Sequence, residues 1–111
     1  MKRFAALLSP AFAFFVVSSL LSVPPVNAQT FTASQAGAGS AVYAQTCAQC
    51  HGTNLQGQSG PALKGASFNS AYPNPTALYN FIRTQMPYNA PGSLSKTQYQ
   101  EVTAFLLAQN G

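Results

Sequence analysis

The sequence predicts an all-α domain of three to four short helices. Three observations carry that expectation. Asn74-Pro75 and Ser95-Lys96-Thr97-Gln98 are helix-starting signals, and each leads into apolar residues at helical spacing. No stretch shows the alternation of a half-buried strand, a coiled-coil heptad or an internal repeat. The N-terminal apolar stretch reads as an export signal rather than as part of the fold.

That signal spans residues 1–28. Lys2 and Arg3 give a positive start, Phe4 to Leu21 is apolar, and Val26-Asn27-Ala28 offers small residues for cleavage. Pro24 and Pro25 end any helix just before that point. The alternative is an uncleaved membrane anchor, for which the apolar stretch is near the lower length limit. The small residues at Ala28 favour cleavage and no membrane span afterwards. Either way the domain is exported, and an oxidising compartment such as a bacterial periplasm fits.

Residues 29–38 are small and polar, and are expected to form a flexible leader. The folded domain is expected over 39–111. Its first helix candidate is Ser40–Gln49, where Gly39 and Tyr43 share a face with Cys47. From Asn54 to Ser70, Gly57, Gly60, Pro61 and Gly65 predict loop. Asn74 caps the next helix and Pro75 opens it, with Leu78, Phe81 and Ile82 on its apolar face. It should stop near Gln85, because Pro87 disfavours helical backbone at Met86. After a Pro- and Gly-rich loop, Ser95 and Gln98 form a capping box, and Leu94 and Tyr99 are placed as a hydrophobic staple. Tyr99, Val102, Phe105 and Leu106 line one face of that last helix, and Asn110-Gly111 ends it.

A chain of 111 residues shortened by its signal is near the size where side chains alone make a marginal core. The net charge of +4 is also partly the signal's. Without it, Lys64, Arg83 and Lys96 face only Glu101, a net of +2. No basic patch of the size that phosphate binding needs is present, so nucleic acid is not an expected partner.

The chemistry-bearing residues are few. Cys47, Cys50 and His51 form Cys-Ala-Gln-Cys-His, and they account for every cysteine and the only histidine. C-x-x-C-H is the attachment signature of a c-type haem. Two thiols one helical turn apart can each form a thioether to one of the two haem vinyl groups. The adjacent imidazole can then supply an axial nitrogen. Three other readings compete. A redox-active C-x-x-C pair would sit in a βαβ context, and none is visible. A structural zinc site wants four ligands, and beyond these three only Glu101 is a common zinc ligand. A structural disulfide would close a tiny loop and stabilise little.

An iron held by one histidine needs a second ligand or keeps an open position. Met86 is the only methionine left after signal removal, in a proline-restricted loop between two helices. As sixth ligand its thioether would favour ferrous iron and raise the potential. A filled sixth position suits outer-sphere electron transfer and makes the chain a carrier, not an enzyme.

With these residues in place, the chain resembles a class I c-type cytochrome, mono-haem and His/Met-ligated, of the bacterial periplasmic kind. The resemblance runs from about Gly39 to Gly111. It implies a cytochrome c fold, with short helices wrapped around one covalently bound haem c. Gly39 and Tyr43 match the family's positions that pack on the C-terminal helix, here at Val102, Phe105 and Leu106. Gly60-Pro61-Ala62-Leu63 resembles the segment whose proline carbonyl accepts a hydrogen bond from the ligand histidine. Carried over, Pro61 would orient His51, and His51 and Met86 would be the iron ligands. The stretch from Met86 to Gly111 is also similar to haem c domains that serve periplasmic dehydrogenases, quinoprotein ones included. The lysine ring of mitochondrial-type members is missing.

The resemblance implies a periplasmic one-electron carrier between redox proteins, with a dehydrogenase as donor and an oxidase or another cytochrome as acceptor. An alternative is a dedicated cytochrome c subunit of a dehydrogenase. A third is a haem enzyme or gas sensor with a displaceable sixth ligand.

Overall fold

Helix caps set most of the architecture. The computed structural model describes residues 31–111 together with Ala11 and Ala13, so the expected export signal over 1–28 lies, apart from those two positions, outside the described residues. Among the described residues there are five α-helices and no strand. They are α1 (Ala33–Thr46), α2 (Ala48–His51), α3 (Ala66–Ala71), α4 (Pro75–Gln85) and α5 (Lys96–Asn110). No described helix is long and apolar enough to cross a membrane.

α4 and α5 begin where their sequence signals place them. Asn74 Oδ1 accepts from the Ala77 N–H at 2.9 Å, with Pro75 in the first turn. Ser95 and Gln98 satisfy each other's backbone N–H groups at 3.1 and 3.0 Å. α4 stops at Gln85 because Met86, ahead of Pro87, is extended (φ −122°, ψ 154°). α5 carries the staple expected of it: Tyr99 is buried and Leu94 is packed against the same core.

Two expectations need correction. The first helix starts at Ala33, inside the stretch read as leader. Thr32 caps it, and Thr32 and Gln35 form a second capping box, with the Thr32 N–H donating to Gln35 Oε1 at 2.9 Å. The loop expected from Asn54 to Ser70 also contains most of α3. α3 has no side-chain cap, and it is held by burial of Phe68 against the core. No periodic pattern in six residues could announce that.

α1 and α5 cross at Gly39. A Cβ at that position would fall inside the Glu101 carbonyl and 2.9 Å from Phe105 Cβ. Tyr43, one turn on, packs against Phe105 with the rings tilted and their centroids 5.3 Å apart. Gly39→Val is expected to cost about 3 kcal/mol or more, since backbone rather than a flexible side chain stands in the way. Guanidinium unfolding of the holoprotein measures this, and an unchanged midpoint would contradict so close a crossing.

The segment after α2 is irregular but anchored. Leu55 has left-handed backbone (φ 59°), and its side chain is only 4% exposed. Burying a leucine is worth about 1.5–3 kcal/mol, enough to offset the roughly 1–2 kcal/mol of that conformation. The Leu63 N–H then donates to the Leu55 carbonyl at 2.9 Å and closes the loop back on itself.

Candidate haem site

α2 is a single turn whose sequence is Ala-Gln-Cys-His, with Cys47 as its N-cap. This places Cys47, Cys50 and His51 together on the wall of a cavity of about 810 Å³. Small-molecule and cofactor sites occupy roughly 300–1,000 Å³. Pro61 and Met86 line the same cavity from two different loops. Its floor is the inner face of the core itself, with Phe68, Leu78, Ile82, Val102 and Leu106.

The His51 ring is buried and oriented. Its Nδ1 lies 2.7 Å from the Pro61 carbonyl oxygen. A carbonyl can only accept, so Nδ1 carries a proton, and in the neutral ring the lone pair is then on Nε2. Gly60 lies flat against the ring, because a Cβ there would sit 2.8 Å from Cε1 and 3.0 Å from Nδ1. Backbone bonds fix the same loop, with Gly57 N–H donating to the His51 carbonyl at 2.7 Å and Gly60 N–H to the Cys50 carbonyl at 2.8 Å. The buried Tyr43 hydroxyl donates to the Gly52 carbonyl at 2.6 Å and ties α1 to the end of α2.

The two thiols differ. Cys50 is exposed and Cys47 is half-buried, and neither is joined in a disulfide. Burial, and then the nearby Cys50, push the Cys47 thiol up to about 11. At neutral pH it stays protonated, which does not suit rapid thiol exchange.

Met86 is half-buried at the end of α4, where its own N–H still donates to the Ile82 carbonyl at 3.0 Å. The Tyr99 hydroxyl donates to the Met86 carbonyl at 2.6 Å, and the Gly92 N–H also reaches that oxygen at 3.4 Å. Sequence reasoning placed Tyr99 in the core but missed its hydroxyl, and no local pattern marks it. The Phe68, Tyr72 and Phe81 rings, in contact at 5.3 Å centroid spacings, complete the wall. Phe68 was missed with α3.

These residues fit a covalently held haem. An apolar cavity in the core, two unpaired thiols one turn apart, an imidazole with a free Nε2 and a thioether converge on one space. The competing readings lose ground. No strand flanks the C-x-x-C pair, and no group of three or more His, Cys, Asp and Glu that could hold a metal occurs among the described residues.

Comparison with known proteins agrees. The family model described as "Cytochrome C oxidase, cbb3-type, subunit III" matches residues 34–106. Among solved structures, the sulfane dehydrogenase SoxCD from Paracoccus pantotrophus is similar, with a TM-score of 0.62 and 30% identity. The match covers 68% of this chain and 43% of that one, so the chain spans less than half of the protein chain it resembles. No curated protein sequence matches significantly.

Proposed function

This chain belongs to the c-type cytochromes, in the family of cbb3-type cytochrome c oxidase subunit III, and as such is an electron-transfer haem protein; we propose that it is an exported, mono-haem carrier in which His51 and Met86 would hold the iron. Cys47 and Cys50 would hold the porphyrin through thioethers. When bound, the haem supplies a one-electron ferric/ferrous couple. His51 presents Nε2, with Pro61 fixing its tautomer. Met86 would supply the second iron ligand and leave no site for substrate.

The observation that carries this reading is the convergence of both cysteines, His51 and Met86 on one cavity. Its expected partners are periplasmic redox proteins, a dehydrogenase as donor and an oxidase or cytochrome as acceptor. No Asp, Glu, Lys or Arg lines that cavity, whose rim includes Gln45, Gln49, Tyr88 and Asn89. Reaction with a partner should therefore depend only weakly on salt.

A spectroelectrochemical titration of the purified protein should give one reversible one-electron wave. Two resolved waves would contradict a single haem, and turnover of an added substrate would contradict a carrier. The likeness to a sulfane dehydrogenase chain favours a second reading, a cytochrome subunit or domain of a dehydrogenase. Isolation under mild conditions separates the two: a carrier purifies alone, and a subunit arrives with a larger enzyme in fixed proportion.

A further inference from the structure

α5 touches both loops that carry or support the ligands, and it does so with polar side chains at two ends of one face. Tyr99 and Asn110 are eleven residues apart in the same helix. At 3.6 residues per turn that is close to three whole turns, so the two side chains share a face about 16 Å apart along the axis. The Tyr99 hydroxyl donates to the Met86 carbonyl at 2.6 Å and accepts from the Leu94 N–H at 3.3 Å. Asn110 Nδ2 donates to the Leu63 carbonyl at 3.0 Å, and its Oδ1 accepts from the Gly65 N–H at 3.2 Å. A third bond, from Nδ2 to the Leu106 carbonyl at 2.8 Å, fixes the amide to its own helix. The segment Asn110 clamps begins two residues after Pro61, whose carbonyl holds His51 Nδ1.

We propose that α5 is the positioning element for both axial arms, with Tyr99 holding the Met86 loop and Asn110 holding the loop that orients His51. The spacing is then set by a helix rather than by two independent loops. Each residue acts on one arm only. The proposal rests on the reading of His51 and Met86 as iron ligands.

The test uses the full exported holoprotein and imidazole as a probe that displaces the methionine from ferric iron. Tyr99→Phe keeps the ring and removes the hydroxyl. It should lower the imidazole concentration for half-displacement about fivefold to tenfold, the order that one net hydrogen bond supports. Asn110→Ala should leave that concentration within twofold of wild type. It should instead speed solvent exchange of the His51 ring N–H, followed by NMR, by about the same factor. Thr103→Ala is the control. Its hydroxyl is buried and bonds only the Tyr99 carbonyl of its own helix at 2.7 Å. It should lower global stability and move neither readout.

Equal effects of Tyr99→Phe and Thr103→Ala on imidazole affinity, or no effect of Tyr99→Phe, would overturn the positioning role. So would unchanged His51 proton exchange in Asn110→Ala. A wild-type ferric protein without the red-end methionine–iron band would instead remove the ligand reading, and this proposal with it. The two failures are therefore distinguishable.

Discussion

Replacing Cys47 and Cys50 together by alanine is expected to yield a colourless exported protein that has lost cooperative unfolding. The reason lies in where the cavity sits. Phe68, Leu78, Ile82, Val102 and Leu106 are core residues and cavity wall at once. Without the porphyrin, the apolar inner face of this cleft of about 810 Å³ has nothing to pack against, a loss that is large beside the ~5–15 kcal/mol that stabilises a small domain. The helices therefore either close on the space or admit water, and both outcomes break the packing. Residual helix with no sharp thermal transition is the expected signature, measured by far- and near-UV circular dichroism. Any haem the variant retains through His51 should be extractable with acidified organic solvent, whereas the wild-type pigment stays with the protein. A colourless double variant with full helix content and a sharp transition would contradict a cofactor-dependent core.

Met86→Ala is expected to have the second-largest effect, on the iron rather than the fold. Loss of the thioether should abolish the red-end charge-transfer band, lower the midpoint potential and let added imidazole or cyanide bind ferric iron freely. The cost in stability should be smaller, roughly 2 kcal/mol, the low end for a buried methionine, because Met86 is only half-buried. An unchanged band would assign the sixth ligand to another residue.

Much of this arrangement was legible beforehand, and the reasons differ between elements. α4 and α5 announce themselves because capping is local: Asn74 and Ser95 satisfy N–H groups three residues away. The start of α1 was equally local, in Thr32 and Gln35, but the small, Gly-bearing composition around it masked the box. α3 was not legible, since nothing within Ala66–Ala71 favours helix as strongly as the burial of Phe68 does. The Cys-Ala-Gln-Cys-His run points to the attachment chemistry by spacing alone. The role of Pro61 could come only from resemblance, because a carbonyl's partner ten residues back leaves no mark on the residue pattern. The same holds for Tyr99 and Asn110, whose hydrogen bonds span thirteen and forty-seven residues.

The central claim is that one iron porphyrin is bonded to Cys47 and Cys50 of the exported chain. A pyridine haemochrome spectrum together with the intact mass of the purified protein tests it most directly. The expected result is the spectrum of a porphyrin with both vinyl groups saturated, and a mass equal to Gln29–Gly111 plus one haem. A colourless protein whose thiols are free or joined to each other would contradict it.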